Sequence, residues 1–400
     1  MKLANSQQRL DIKIILSFIM IPYIFLTPFG GNFTAYDLIL IMLGLHIFIY
    51  RKNYYISTYN IKFYLPAYLF LIIAFIPLIS TTHKISYLKT LAQYTFIFFL
   101  MFPIILEVLD VRIYKIAIKN MCRIWSIFLI YNILMINNDA MYIARRFAGF
   151  YSNPGTFGLM ISIIVPFLLE NVFLEEVKLF KILSFTGIIS SAILLLASGS
   201  RAGIVGLSVG LFFYLILKYR VSFTFIKKCL WILLATLPVI VIFKDKFERS
   251  GLVRLLTIEN IPGRIRDYLL ALEIIKDKFF IGTGLHNSSE ALASIGGMYR
   301  PHNLFLAYFT ETGIIGLLLI SFIIINCVFG FIRLLIWNKT YPHKLEGFES
   351  STISAAIILF VAQQFSTPTI HRGFWIFWAL SFWLVNEKII NLKLYYGDDK

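Results

Sequence analysis

Arginine is the residue type whose positions in this sequence most suggest chemistry. Several arginines stand beside small or polar residues at the edges of long apolar runs, in "ARRFAGFYSNPG", "SGSRAG", "PGRIRDY", "YRPHN" and "TIHRG". They are Arg145, Arg146, Arg201, Arg264, Arg266, Arg300 and Arg372. A guanidinium keeps its charge and offers a planar fork of donors that matches phosphate oxygens. If these arginines share one face of the protein, they predict a phosphorylated substrate.

His302 stands where a long apolar run begins, in "YRPHNLFLAYFTETGIIGLLLI". An imidazole has an ordinary pKa near neutrality, so it is suited to take a proton from a hydroxyl group. Asn303 suits the cap of the following helix, which leaves His302 available for chemistry. Glu311 should lie about 13 Å further along that helix, and a carboxylate at such depth needs a partner or a polar cavity.

Other catalytic chemistries lack their usual residues. The sequence contains no D-x-D, Walker-type glycine loop or H-E-x-x-H motif. The three cysteines, Cys122, Cys229 and Cys327, show neither metal spacing nor a disulfide pattern. We therefore expect no metal and no cofactor. Gly282 and Gly284 in "GTG" favour a turn over a phosphate cradle, because no strand precedes them.

The composition requires these residues to be positioned by membrane helices. Hydrophobic residues make up 59% of the chain, charged residues only 14%, and the mean hydropathy is +0.79. A helix needs roughly 20 apolar residues to cross the hydrocarbon. About twelve segments qualify, near 12–29, 35–50, 61–80, 88–109, 115–136, 155–174, 180–198, 202–217, 229–243, 304–336, 351–366 and 373–390. The predicted fold is an all-α polytopic membrane protein, with residues 1–400 forming a single membrane domain.

The tenth segment is too long for one simple span. A continuous helix over residues 304–336 would reach roughly 50 Å, against about 30 Å of hydrocarbon. The sequence "TETG" at 310–313 marks where it could bend. We expect the first turns, which follow His302, to line an external cavity.

The basic residues orient the chain. With the N-terminus inside, most of the 37 Lys and Arg fall in or beside predicted cytoplasmic segments, and few fall in short external loops. Both termini are then cytoplasmic, and the arginines named above lie on the outer face. Topogenic loops and anionic lipid account for the net charge of +16, so the charge predicts no nucleic-acid partner.

One external loop, residues 244–303, is much longer than the others. Long loops in compact proteins are usually functional. Within it, "PGRIRDYLLALEIIKDKFF" spaces Ile265, Leu269, Leu272, Ile275 and Phe279 as on one helix face. This pattern predicts an amphipathic helix on the outer membrane surface, with a turn at Pro262-Gly263 and Arg264 near its first turn.

Four stretches in order carry a resemblance to a known family. They are "RRFAGFYSNPGTFG", "SGSRAGIVG", "PGRIRDYLLALEIIKDKFFIGTG" and "PHNLFLAYFTETGIIGL", between about residues 145 and 320. The chain resembles the O-antigen polymerase and O-antigen ligase superfamily, which has a similar layout with one large external loop. The resemblance implies a glycosyltransferase that moves a glycan from an undecaprenyl-diphosphate carrier to an acceptor hydroxyl at the outer leaflet.

The same resemblance assigns residues and partners. Its functional arginines and histidine fall on Arg201, Arg264 and His302, which we take as catalytic, and Arg146, Arg266, Arg300, Asn303, Glu311 and Arg372 are candidates for substrate binding. Two guanidinium forks could stabilise the charge of the diphosphate leaving group without a metal. The implied partners are the lipid-linked donor, the glycan acceptor and the bilayer, and a chain-length regulator and a flippase are further candidates.

Several alternatives remain open. Arginines at the outer ends of spans also serve as interfacial anchors, and the glycines around Arg201 could serve helix packing alone. The motifs do not separate a repeat-unit polymerase from a ligase that uses lipid A core or protein as acceptor. A lipid-linked oligosaccharide flippase or transporter could also have twelve spans, although we find no repeat between the halves. A metal-dependent glycosyltransferase would need an acidic base in its first external loop, which is only "GGNFTAY" before Asp37.

Overall fold

The protein is described from a computed structural model. The structure describes residues 60–78, 84–109, 111–143, 146–151, 153–219, 261–297, 300–340, 347–366 and 372–396. Predicted segments 12–29, 35–50 and 229–243 lie outside these residues. The other nine predicted segments all contain helix.

The described part of the chain is helical apart from two short strands. The helices are α1 (Ile61–Phe75), α2 (Lys84–Thr95), α3 (Val111–Leu134), α4 (Pro154–Leu174), α5 (Lys178–Ser198), α6 (Arg201–Tyr219), α7 (Ile261–Asp277), α8 (Ser288–Ser294), α9 (Leu304–Thr340), α10 (Glu349–Gln363) and α11 (Arg372–Tyr396). Helix α2 continues through wider π-helical turns at Phe96–Met101 and Ile104–Val108. Strands β1 (Tyr142–Ile143) and β2 (Arg146–Phe147) pair antiparallel.

Six helical stretches of the described residues are long and apolar enough to cross a membrane. They are Ile61–Leu78, Tyr87–Glu107, Pro154–Leu174, Lys178–Ser198, Arg201–Lys218 and Leu304–Arg333. The chain is therefore a multi-pass membrane protein, as its composition predicts. The total of twelve spans and their orientation remain predictions.

Helices α4, α6 and α10 pack closely through small residues. A Cβ added to Gly203 would lie 2.9 Å from the carbonyl oxygen of Gly158, and one added to Gly210 would lie 2.2 Å from Ile358. The Ser162 hydroxyl donates to the Gly203 carbonyl at 2.9 Å. Small residues let membrane helices approach and exchange such bonds. The glycines after Arg201 thus do serve helix packing.

Buried charges are paired at the end of this bundle where α4 and α6 finish. The Glu170 carboxylate accepts a bond from the Tyr214 hydroxyl at 2.6 Å and forms an ion pair with Lys218. Arg123 makes two bonds of 3.0 Å to the two carboxylate oxygens of Glu175. This end, where α4 and α6 both finish, is the predicted cytoplasmic end. Pairing is what charged groups within apolar helices require.

Helix α9 is broken at the predicted place. Gly313 has φ 66° and ψ −171°, so α9 consists of a first part that begins at Leu304 and a longer second part after the break. A positive φ is easily adopted by glycine and is strained for other residues. The predicted bend within "TETG" is therefore confirmed.

Helix α7 is the predicted amphipathic helix, with two differences. It begins at Ile261, so Pro262 and Gly263 lie in its first turn and do not form the predicted turn before it. Proline is well suited to a first turn, where its missing N–H costs nothing. Ile265, Leu269 and Leu272 form an exposed apolar stripe as expected, but Ile275 is buried.

Candidate functional site

His302 lies against one face of α7. The Tyr268 hydroxyl donates to the His302 backbone carbonyl at 3.0 Å. Asp267 and Tyr268 follow Arg264 by three and four residues, so both lie on the side of the helix that carries Arg264. The charges of both Arg264 and Asp267 act on the imidazole of His302. The structure thus brings together the predicted arginine of α7 and the predicted histidine.

The surroundings favour a neutral imidazole at His302. Burial lowers its pKa below the ordinary value, and the Arg264 guanidinium lowers it further. The Asp267 carboxylate acts in the opposite direction and raises the pKa, but its effect is smaller. A neutral imidazole near pH 7 is in the form that accepts a proton.

Asn303 caps α9, as its residue type predicts. Its side-chain oxygen accepts a bond from the Leu306 amide at 3.0 Å. Its side-chain nitrogen donates to the Gln364 side-chain oxygen at 3.1 Å, which ties the start of α9 to the end of α10. Because Asn303 satisfies the first turn, His302 is not needed as a cap.

Arg264 is attached to the same end of α10. Its guanidinium donates to the Phe365 backbone carbonyl at 3.2 Å. Gln364 and Phe365 are consecutive, so the end of α10 contacts both Arg264 and Asn303. This end of α10 is the anchor that holds α7 and the start of α9 in one place.

Arg201 begins α6 at the same end of the bundle. Gly210 faces Ser354 and Ile358, while Gly206 faces Ile358 and Ala362, so α6 and α10 run antiparallel. Arg201 precedes Gly206 by five residues, roughly 7.5 Å along the helix. It therefore lies at about the height at which α10 ends.

Arg146 is positioned next to Arg201 by β2. Its guanidinium donates to the carbonyls of Ser198 at 2.8 Å and Gly199 at 3.1 Å. These residues form the end of α5, where Gly199 has φ 58°. A cation at a helix C-terminus stabilises carbonyls that lack helical partners. Arg146 thus supports the turn that leads into Arg201.

Arg300 and Glu311, both predicted to bind substrate, bind each other. Their side chains form an ion pair, and the Arg300 and Glu311 residues are 8% and 3% exposed. The Ser288 hydroxyl donates to the same carboxylate at 2.6 Å. The guanidinium also lies 3.3 Å from Nδ1 of His286, whose pKa is lowered by burial and by Arg300. The partner that Glu311 requires is therefore Arg300.

The remaining predicted arginines have a different status. Arg266 is exposed on α7, with its guanidinium near Gly296. Arg372 begins α11, but its side chain lies outside what the structure describes, as does the whole of Arg145. Among the described residues, no group of three or more His, Cys, Asp or Glu could hold a metal ion.

Sequence reasoning missed four residues of this site: Asp267, Tyr268, Ser288 and Gln364. Asp267 and Tyr268 follow Arg264 at a spacing of three and four residues, which places them on its side of the helix, and this signal could have found them. Ser288 and Gln364 carry no such signal. Their contacts with Glu311 and Asn303 arise only when distant segments pack together.

Part of the chain matches a known protein family. Residues 186–321 match a family model described as O-antigen ligase. No curated protein matches the chain. The matched range begins within α5 and ends within α9, and it includes Arg201, Arg264 and His302. This part of the chain is therefore similar to the O-antigen ligase family, in agreement with the resemblance of the four sequence stretches.

Proposed function

We propose that this protein is a polysaccharide repeat-unit polymerase. It transfers a glycan from an undecaprenyl-diphosphate carrier to a sugar hydroxyl on a second carrier-linked glycan, at the outer leaflet of a bacterial inner membrane. The main supporting observation is the contact between α7 and the start of α9. At this contact His302, whose pKa is lowered, lies against the side of α7 that carries Arg264.

His302 acts as the general base in this proposal. Its neutral imidazole takes the proton of the acceptor hydroxyl as the oxygen attacks the anomeric carbon of the donor sugar. The new glycosidic bond forms while the bond between that carbon and the diphosphate oxygen breaks. The protonated imidazole then returns its proton to solvent. Burial and Arg264 both favour this return, because both lower the pKa of His302.

Arg201 and Arg264 stabilise the leaving group. Undecaprenyl diphosphate gains negative charge as the bond breaks, and two preorganised guanidinium forks bind its oxygens more strongly at that moment. Arg264 is oriented by its bond to the neutral carbonyl of Phe365, which does not cancel its charge. Arg201 approaches from α6. Arg146 and Arg266 extend the positive surface toward the donor glycan, and Arg372 stays a candidate from the sequence alone.

The lipid part of the donor meets a suitable surface. Ile265, Leu269 and Leu272 form an exposed apolar stripe on α7, the helix that carries Arg264. A helix of this kind lies at a membrane interface with its apolar side toward the acyl chains. In the proposal, the stripe keeps Arg264 at the depth of the carrier's diphosphate.

A ligase is the second candidate function, because the matching family model is described as O-antigen ligase. It would use the same donor and the same residues with another acceptor, a lipid A core sugar or a protein. The polymerase is preferred because such enzymes are numerous and varied, and they need only one kind of lipid-linked substrate.

The deciding experiment offers both acceptors to the purified protein. Synthetic undecaprenyl-diphosphate repeat units are supplied alone, or together with lipid A core or an acceptor protein, and products are separated by size and analysed by mass spectrometry. A ladder from the lipid-linked units alone is expected. Transfer only to lipid A core or protein would establish the ligase, and movement of intact donor across vesicles without transfer would establish a flippase.

A further inference from the structure

Another segment of the chain forms hydrogen bonds with the backbone groups at the break in α9. Interrupting a helix leaves backbone groups without their usual partners, which is costly inside a membrane protein. The loop after α7 supplies them. The Thr283 and Gly284 amides donate to the Thr310 and Glu311 carbonyls at 2.9 and 2.8 Å, and the Ile314 amide donates to the Phe279 carbonyl at 2.8 Å.

Two glycines permit this close contact. A Cβ at Gly313 would lie 2.2 Å from the Phe280 carbonyl oxygen, and one at Gly282 would lie 2.6 Å from the Gly313 nitrogen. Both glycines have a positive φ, of 66° and 75°. The two backbones therefore fit together in one arrangement, which fixes the first part of α9 against the loop.

Side chains join a third segment to the same place. Glu311 lies in the turn of α9 just before the break, and Ser288 begins α8. Arg300 donates through Nε to the Ser288 hydroxyl at 3.2 Å and to the Glu311 carboxylate at 3.0 Å. These three side chains, together with the backbone bonds above, form what we call the polar joint.

The polar joint is two residues from His302. Arg300 is followed by Pro301, whose ring restricts the backbone, and then by His302. A segment held at Arg300 and at the Asn303 cap leaves His302 little freedom to move. The charge of Arg300 is already opposed by a buried carboxylate, so a phosphate would have to displace Glu311 in order to bind there.

We propose that Arg300, Glu311 and Ser288 are positioning residues that hold His302 in its reactive place, and that Arg300 does not bind the diphosphate. This inference rests on the proposed function of His302 and revises the expected roles of Arg300 and Glu311. The polar joint stabilises the broken helix, and the restricted backbone of Pro301 links the fixed Arg300 to His302, which limits the movement of the base.

The test separates positioning from binding by measuring kcat and donor affinity for each variant. Glu311→Gln and Arg300→Gln should each lower kcat about tenfold and leave the Kd of the lipid-linked donor within about twofold. The double variant should be no worse than either single variant, since both changes open the same joint. If instead Arg300→Gln weakens donor binding tenfold while Glu311→Gln tightens it, Arg300 binds phosphate and the proposal is wrong.

Glu170→Gln is the matched control. Glu170 is also a buried glutamate that binds a cation and a hydroxyl group, Lys218 and Tyr214, but it lies at the opposite end of the bundle. We expect it to lower thermal stability with kcat per folded molecule unchanged. An equal fall in kcat for Glu170→Gln and Glu311→Gln would mean that the polar joint affects only the overall stability of the protein, and it would overturn the proposal.

Two further measurements keep the test decisive. Ser288→Ala removes only one hydroxyl, so this variant should fold even if the charge variants do not. It should lower kcat about threefold. An unchanged kcat would contradict the positioning role of the polar joint. Thermal unfolding of the single and double variants measures the coupling of Arg300 and Glu311 without any activity. A wild-type protein that transfers no glycan refutes the proposed function, whereas absent coupling refutes the joint alone.

Discussion

The two ends of the helix bundle hold their charges in different ways. At the end where α4 and α6 finish, carboxylates bind the cations directly: Glu170 binds Lys218, and Glu175 binds Arg123 through two bonds. At the other end, Arg146 and Arg264 donate to backbone carbonyls. A carboxylate opposes the charge of its partner, whereas a neutral carbonyl orients a guanidinium and leaves its charge to act on a ligand. This difference agrees with the proposed function, in which the first end contributes stability and the second end binds an anion.

The polar joint has the carboxylate arrangement of the first end but lies at the second end, close to the proposed base. Arg300 binds a carboxylate, like the cations of the first end, although it lies only two residues from His302. Its charge is opposed, so its effect on the site is geometric. Position near a site is thus a weaker guide to function than the chemistry of the partner atom.

The strongest test of the comparison removes the proposed base. His302→Ala should lower transfer by about a hundredfold or more, because the acceptor hydroxyl then keeps its proton. Binding of the lipid-linked donor should be nearly unchanged, since the arginines remain. Transfer rate and donor Kd of the purified variant are the measurements. A fully active variant would remove His302 from the mechanism.

Arginine-to-lysine changes test whether charge or geometry matters. Arg201→Lys and Arg264→Lys keep the charge but lose the bidentate fork, so each should lose transfer almost as completely as the alanine variant. Arg333→Lys is the matched control, an exposed arginine in the second part of α9, far along the helix from His302, and should keep wild-type activity. Membrane yield is measured alongside transfer. Wild-type rates from both site variants would make these arginines interfacial anchors.

The pH dependence of transfer tests the contact between α7 and His302. For the wild-type protein, kcat/KM should fall on the acid side at a pH below the ordinary histidine pKa, because burial and Arg264 lower the pKa of His302. The Asp267 carboxylate stabilises the protonated imidazole, so Asp267→Asn should move that fall to still lower pH. A shift to higher pH, or none, would contradict this placement of Asp267.

Chelation is expected to have the smallest effect. The proposed leaving-group stabilisation relies on guanidinium groups, so transfer should continue at the same rate after treatment with EDTA. The measurement compares treated and untreated protein, with magnesium and manganese added back. Activity that is lost on chelation and restored by either ion would show that the proposed mechanism lacks an essential metal.

Local features of the fold could be predicted from the sequence. The bend in α9 could be predicted because its apolar run is too long to cross a membrane once and contains Gly313. The cap could be predicted because Asn303 stands just before that apolar run. The apolar spacing of α7 predicts its helix and most of its exposed stripe. The turn at Pro262-Gly263 was wrong because proline also fits the first turn of a helix, and only the actual start of α7 decides between the two.

Partners across the site could not be predicted. Glu311 needs a partner because it is charged and follows an apolar run, but nothing along the chain identifies Arg300 and Ser288 as that partner. The sequence also groups Arg264 and Arg300 together as arginines of the predicted outer face. Their different partners, the Phe365 carbonyl and the Glu311 carboxylate, separate them only in the folded protein.

Hydropathy, helix breaks and caps are properties of neighbouring residues, so the sequence by itself determined a multi-pass helical protein with a broken helix after His302. Which cation meets which anion depends on how α6, α7, α9 and α10 pack, and that packing brings residues as distant as Arg264 and Phe365 within 3.2 Å. The tertiary structure therefore decided that Arg264 faces His302 while Arg300 is bound by Glu311. The physical reason is that an ion pair or hydrogen bond forms only over a few ångströms, a distance that the order of residues does not specify.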